Sequence, residues 1–252
     1  KKKPNNLIGV TGTNGKSSIA NFYFQILTYN KIKAASIGTL GVNGLNIKKK
    51  FLNTTFDTIQ INKILKKLKE KKIENVILEA SSHGLNQNRL DGLKFDIGIF
   101  TNLSRDHLDY HKSYKNYLNS KLILFKKLLK KKSYAIFDDD LKISSNLNRI
   151  TKSNKIEKFT IGNKKSSFTI LEQQFLKDKQ NIIFRFDKKE YSFSTKLIGR
   201  VQIKNLLMAI MAAIKSKIPL EKILKITQKI KPVNGRLEKI GRLYNNGIII
   251  LD

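Results

Sequence analysis

The chain has 252 residues and carries 50 Lys and Arg against 19 Asp and Glu, a formal net charge of +31, with no cysteine. That length suffices for one large domain or two small ones; the missing cysteine excludes disulfides and thiolate metal sites, and no apolar run approaches the ~20 residues of a membrane span. The basic balance admits a nucleic-acid-binding module. Against that reading, the lysines are scattered over helix faces, as at Lys66-Lys67, Lys71-Lys72 and Lys126-Lys127, and Lys, Asn and Ile are abundant together, as in an AT-rich coding bias. A solvated basic surface equally suits a polyanionic small substrate. Lys1-Lys2-Lys3 runs into Pro4-Asn5-Asn6 rather than an apolar core, so no secretion signal is expected.

In chain order, residues 7–11 read as a buried strand. Gly12-Thr13-Asn14-Gly15-Lys16-Ser17-Ser18 then reads as a phosphate cradle opening a helix from about Lys16 to Tyr29. Glycines let backbone N–H groups turn inward on an anion, and the helix N-terminus adds positive potential. Lys16 is placed to reach terminal phosphates, and the Ser17 hydroxyl suits Mg²⁺. Only Thr13 and Asn14 separate the two glycines, where the usual Walker loop has four residues, so this is a variant loop. Ala34–Gly38 is a second strand, and residues 40–47 carry a type I′ hairpin signal at Asn43-Gly44.

Asp57 caps a helix running to about Lys72, with Ile59, Ile61, Ile64, Leu65 and Leu68 near helical spacing. Asn75–Glu79 and residues 95–101 are further strands, 113–130 a helix and 134–138 a strand. The alternation predicts an α/β fold: a mostly parallel P-loop-type sheet with helices on both faces and a ligand crevice beyond the strand C-termini. From about 156 to 197, short β-like runs with polar turns predict a small antiparallel portion, an insert or flanking sheet. Residues 201–215 and 220–230 return to helix, with Pro219 at the start of the second. An apolar strand then ends at Asp252, and a domain that stops in mid-strand reads as a fragment.

Two polar groups follow strands of this sheet, and a third candidate lies on the helix 113–130. Glu79 ends a buried strand and faces the same crevice as the phosphate loop, as a Mg²⁺ partner for Ser17 or as a solvated strand-end acid. His107 lies in a dense polar cluster, 101–111, that favours a ligand or acid–base role over a structural one. Lys121, by composition alone, is one more surface lysine in a lysine-rich chain.

Taken together, GTNGKSS at 12–18, Asn53-Thr54-Thr55, EASSHGLNQNR at 79–89, FTNLSRDHLDYH at 100–111, the Lys121 segment and VNGRLE at 233–238 resemble the Mur ligases. These are the ATP-dependent amino-acid ligases of peptidoglycan precursor synthesis. The text is most similar to the MurE type, which adds the third peptide residue, and it covers nearly the whole chain in family order. The loop alone is shared with folylpolyglutamate synthases, the alternative ligase reading.

The resemblance implies that Gly12, Thr13, Asn14, Gly15, Lys16, Ser17 and Ser18 bind ATP, with Lys16 on the β/γ-phosphates. It implies Mg²⁺ held by Ser17 and Glu79, with His107 and a carbamylated Lys121 at a second ion. Asn53, Thr54, Thr55, Ser81, Gln87 and Arg89 match positions that contact the UDP-muramoyl-peptide, and Asn205 and Arg236 match positions near the nucleotide. Gln202 stands where the family often has Asn. The implied partners are UDP-N-acetylmuramoyl-dipeptide and an amino acid, diaminopimelate or lysine, with no nucleic acid and no membrane span. A cytoplasmic monomer is expected. Residues 1–252 would be a central ATP-binding domain, without the family's uridine-gripping N-terminal and amino-acid-selecting C-terminal domains.

Overall fold

The computed structural model describes residues 3–45, 54–236, 238–242 and 248–251 of the chain. Its first half alternates strand and helix: β1 (Asn6–Thr11), α1 (Lys16–Tyr29), β2 (Ala34–Gly38), β3 (Gly41–Asn43), α2 (Thr58–Glu70), β4 (Asn75–Glu79), the short α3 (Ser82–Asn86) and β5 (Phe95–Phe100). Then come α4 (Leu108–His111), α5 (Tyr114–Ile123) prolonged by a π-turn over Leu124–Leu128, β6 (Leu129–Asp138), α6 (Ser144–Ser153) and β7 (Glu157–Gly162). β8 (Phe168–Phe175), β9 (Gln180–Phe186) and β10 (Lys189–Thr195) precede α7 (Arg200–Lys215), α8 (Leu220–Leu224), a 3₁₀ turn at Thr227–Lys229, and the pair β11 (Glu238–Arg242) and β12 (Ile248–Leu251).

Ten strands form one sheet in the order β10-β9-β8-β7-β6-β5-β1-β4-β2-β3. β2, β4, β1, β5, β6 and β7 pair in parallel. Their side chains alternate between two cores, as strands covered on both faces must. Ile8, Val10, Ile77, Ile97, Ile99 and Ile136 pack with α1 and α7 on one face. Leu7, Val76, Leu78, Phe95, Phe100 and Phe137 pack with α2 and the π-turn on the other. The antiparallel strands β8, β9 and β10 are not a separate sheet; they continue the same one past β7. Ile170, Ile182, Phe184 and Phe193 face the first core, while Leu171 and Phe175 on β8 are exposed.

The mostly parallel architecture is the expected one, with local differences. The hairpin turns at Thr39-Leu40, because β2 and β3 pair Gly38 with Gly41. Asn43 ends β3, so the Asn43-Gly44 signal marks the exit from the hairpin. The expected strand beyond it runs into residues 46–53, which lie outside the described set. On α2 the Asp57 cap forms, its side chain accepting from the Gln60 N–H at 2.8 Å, and Ile61, Leu65 and Leu68 are buried; Ile59, however, is 68% exposed. One residue in the first turn can match the spacing and still project outward, since the face is fixed by the turns that follow. The helix expected to Lys130 runs as α5 to Ile123 and on through the π-turn to Leu128, where Leu124, Phe125 and Leu128 are buried. The lysine run beyond it has no period to mark where β6 begins. α3, α4, α6 and β11 were not foreseen, and α8 ends at Leu224 rather than continuing to 230.

Candidate active site

The C-terminal ends of β1, β2, β4 and β5 open onto one crevice. β1 delivers the loop 12–15, with Gly12 at φ +144° and Gly15 at φ +86° capping α1. Glycine is required at position 12: a Cβ there would sit 1.8 Å from Thr101 Oγ1 and 3.1 Å from the Asn102 amide nitrogen. The loop is buttressed from the end of β5. Thr13 N–H donates to Asn102 O at 3.0 Å, Asn14 N–H to Asn102 Oδ1 at 2.9 Å, and Thr101 Oγ1 to Asn14 O at 2.5 Å. Thr13 Oγ1 accepts from Ser104 N–H at 3.0 Å and lies 3.1 Å from the Tyr117 hydroxyl. From α7, buried Asn205 presses against Gly15, where a Cβ would lie 2.7 Å from its Oδ1.

Lys16 folds back over its own loop, donating to Gly12 O at 3.0 Å and Thr13 O at 2.7 Å. Burial lowers its pKa, opposed by the charges of Glu79 and Asp106. Glu79, at the end of β4, is 2% exposed, and burial raises its pKa against the opposing pull of Lys16, Ser17 and Thr39. Ser17 Oγ donates to Glu79 Oε2 at 3.0 Å, and Thr39 N–H donates to Oε1 at 3.0 Å. Gly38 makes room for this carboxylate: a Cβ there would be 2.1 Å from Oε1.

The opposite wall is built on α3 and the segment before α2. Ser81 caps α3, accepting from Gly84 N–H at 3.0 Å, and its own N–H donates to Thr55 Oγ1 at 2.9 Å. Arg89 reaches the Thr55 carbonyl at 2.8 Å. Lys121 comes from α5. It is 1% exposed, donates to Gly12 O at 2.7 Å and sits 4.3 Å from the centre of the Tyr117 ring. Burial, with Lys16 beside it, pushes its pKa down to about 6. Thr13, Lys16, Thr55, Ser81, Arg89 and Lys121, together with His107 and Thr54, border one cleft of about 310 Å³.

His107 is half-exposed, at φ +52°, with Nε2 3.5 Å from Asp106 Oδ2. All three histidines of the chain meet here: His83 lies 4.8 Å from His107 and 5.4 Å from His111, ring centre to ring centre. Burial and mutual repulsion hold the pKa values of His83 and His111 below the ordinary value.

Of the expected site residues, Gln87 stands at the rim, donating to the Tyr110 hydroxyl at 3.1 Å. Exposed Arg236 is tied to α7 through its carbonyl, which accepts from Gln202 Nε2 at 3.0 Å. Asn53 lies outside the described residues. Sequence reasoning missed Thr39, Asn102, Asp106 and Tyr117. Each follows a strand of the parallel sheet or stands one helical turn before Lys121, and that position was the available signal.

Over residues 10–213 the chain matches the family model described as the Mur ligase middle domain. The chain belongs to the Mur ligase family. It is 39% identical over 245 residues to a protein of Rickettsia bellii named UDP-N-acetylmuramoyl-L-alanyl-D-glutamate–2,6-diaminopimelate ligase, covering 96% of this chain and 52% of that protein. A protein of the same name from Oceanobacillus iheyensis is 36% identical over 251 residues, 97% of this chain and 50% of its own length. The chain thus spans about half the length of the curated relatives it matches. A solved structure of a ligase with that name superimposes with TM-score 0.86 at 26% identity, over 96% of this chain and 49% of that one. The apo form of L. casei FPGS superimposes with TM-score 0.76 at 14% identity, over 100% of this chain and 68% of that one, a likeness of fold alone.

Within this Mur ligase domain, the donor set at Glu79 suits Mg²⁺. A buried carboxylate and the Ser17 hydroxyl offer hard oxygens beside a phosphate cradle, and Mg²⁺ typically takes one or two carboxylates and completes its shell with water and phosphate. Among the described residues no group of three or more His, Asp or Glu side chains converges on one point, so phosphate oxygens would have to complete the shell.

Proposed function

We propose that this chain is the ATP-binding centre of a ligase that adds diaminopimelate to UDP-N-acetylmuramoyl-L-alanyl-D-glutamate. The observation that carries the reading is one cleft in which Thr13 and Lys16 of the phosphate loop and the buried Lys121 face Thr54, Thr55, Ser81 and Arg89, with the buried Glu79 carboxylate bonded to Ser17 of the same loop at 3.0 Å. The names of the relatives support the substrate, and the Mur ligase family supports the reaction class.

In this reading the N–H groups of residues 12–18 cradle the ATP phosphates, and Lys16 leaves the Gly12 and Thr13 carbonyls for the β/γ-phosphates. Thr54, Thr55, Ser81 and Arg89, with Gln87 at the rim and Asn53 beside them in sequence, hold the acceptor so that its carboxylate oxygen lines up on the γ-phosphorus. That oxygen forms a bond to phosphorus as the bond to the β-phosphate oxygen breaks, giving an acyl phosphate and ADP. The amine of diaminopimelate then attacks the acyl carbon, inorganic phosphate leaves, and the amine proton passes to solvent. Asn205 and Arg236 border the nucleotide end.

Ser17 and Glu79 would hold one Mg²⁺, and His107 with the carbamate of Lys121 a second; bound there, the ions neutralise charge developing on the transferred phosphoryl group. As an ammonium Lys121 is no ligand. A pKa near 6 leaves it largely a neutral amine at pH 7, and such an amine attacks CO₂, losing one proton and gaining a carboxylate. The setting inferred is a cytoplasmic monomer. The test is phosphate release by the full natural-length protein, given ATP, Mg²⁺, UDP-N-acetylmuramoyl-L-alanyl-D-glutamate and diaminopimelate. Release dependent on all four is expected; no release, or release indifferent to the acceptor, overturns the reading.

A further inference from the structure

Thr39 joins the Glu79 carboxylate to Thr54 on the cleft wall through a single hydroxyl. It sits on the β2–β3 turn, where its backbone N–H anchors Glu79 Oε1 at 3.0 Å. Its Oγ1 lies 3.2 Å from Glu79 Oε2 and 3.1 Å from Thr54 Oγ1. A hydroxyl carries one proton, so Thr39 donates to the carboxylate or to Thr54, never to both. Glu79 Oε2 already accepts from Ser17 Oγ at 3.0 Å. The neighbouring groups are already engaged: Glu79 Oε1 accepts from the Thr39 N–H, and the Thr55 and Ser81 hydroxyls next along the wall are bonded to each other.

We propose that Thr39 is a positioning residue that couples occupancy of the nucleotide end to recognition of the acceptor at Thr54, by moving its one hydroxyl proton from Glu79 to Thr54. This rests on the reading above, in which Glu79 holds the nucleotide's Mg²⁺ and Thr54 touches the acceptor. With the site empty, the Thr39 proton satisfies the buried carboxylate. Were Glu79 to hold a cation, its Oε2 lone pair would no longer be open to the Thr39 proton. Thr39 then turns its proton to Thr54 Oγ1. Thr54, now an acceptor on the inner side, directs its own proton outward into the cleft, where it donates to the acceptor substrate. The same chain runs backwards, since coupling between two ligands is reciprocal: acceptor bound at Thr54 frees Glu79 Oε2 for the cation.

Titration calorimetry on the full natural-length protein tests this without turnover. The probes are a non-hydrolysable ATP analogue with Mg²⁺, and UDP-N-acetylmuramoyl-L-alanyl-D-glutamate, each titrated alone and in the presence of the other. In the wild type each ligand should tighten the other by about five-fold or more, the lower end of ordinary couplings. Thr39→Val, which keeps the shape and the backbone N–H, should bring that factor to about one, and Thr39→Ser should restore it. Thr54→Val, at the other end of the relay, should also abolish it, and adding Thr39→Val to Thr54→Val should change the coupling no further. Coupling that survives in Thr39→Val, or wild-type ligands that bind independently, overturns the proposal and leaves the ATP-site reading standing. Failure of the wild type to bind the Mg²⁺–nucleotide analogue overturns that reading and the proposal with it.

Discussion

The buried amine of Lys121 should cost the protein stability, and its replacement by methionine should recover it. In the fold Lys121 titrates near 6, against 10.5 in the ordinary range. At pH 7 the unfolded chain therefore holds a proton that the folded chain has largely released. The gap between 7 and 10.5, at about 1.36 kcal/mol per pH unit, opposes folding by about 5 kcal/mol. Methionine fills a similar volume but loses the bond from Nζ to Gly12 O, worth about 1 kcal/mol; the neutral amine has no cation–π attraction to the Tyr117 ring to lose. Gly12 O keeps a donor, since Lys16 Nζ also reaches it at 3.0 Å. Lys121→Met should thus gain about 4 kcal/mol, raising Tm by roughly 8–16 °C in a domain of this size.

The assay is thermal unfolding by circular dichroism in CO₂-free buffer without nucleotide, run from pH 7 to pH 10. The folded pKa is lowered, so between about 6 and 10.5 the unfolded state binds more protons and wild-type stability rises with pH. The advantage of methionine should shrink steadily over that range and vanish at about pH 10, where the remaining linkage equals the lost hydrogen bond. A variant that melts no higher than the wild type at pH 7, or whose advantage is the same at pH 7 and pH 10, would falsify the claim that this lysine is a strained neutral amine. The same variant should show no ligation, because it has no amine to carbamylate.

Three further outcomes follow from the same geometry. Lys16→Ala should slow phosphate release at least about 100-fold, since it removes the charge aimed at the transferred phosphoryl group; undiminished release would remove Lys16 from that role. Gly12→Ala should abolish binding of a fluorescent ATP analogue, because the new Cβ would stand 1.8 Å from Thr101 Oγ1 at φ +144°; retained binding would show that the loop has room the structure denies it. Asp57→Ala deletes the cap on Gln60 N–H and should lower stability by about 1 kcal/mol in urea unfolding, with nucleotide binding intact; no change in the midpoint would mean that the cap contributes nothing.

Much of the parallel half was legible because strands buried on both faces leave unbroken apolar runs, as at 76–78 and 97–100, and the cradle carries a local signature. Glu79 was legible as a strand-end acid in the crevice. Lys121 was not: nothing in a lysine-rich chain marks a lysine that is 1% exposed, and only resemblance to the Mur ligases drew it out. Thr39 escaped because the hairpin signal at Asn43-Gly44 drew the turn four residues too late. The beginning of β6 escaped because Lys130-Lys131-Lys132 has no periodicity. The antiparallel strands were recognised as strands, but their union with the main sheet depends on β7 pairing with both β6 and β8, a long-range choice that no short window encodes.

The packing of α7 against α1 has a consequence for biosynthesis. The cradle leaves the ribosome well before its supports: Asn205, which presses on Gly15, and the apolar side of α7 that covers Phe22, Ile26 and Leu27 are translated almost 200 residues later. At about 5–20 residues per second, the apolar face of α1 waits on the order of 10–40 s for its cover. Nascent chains stalled before residue 200 should therefore expose that face and be held by chaperones, while chains released beyond residue 215 should not.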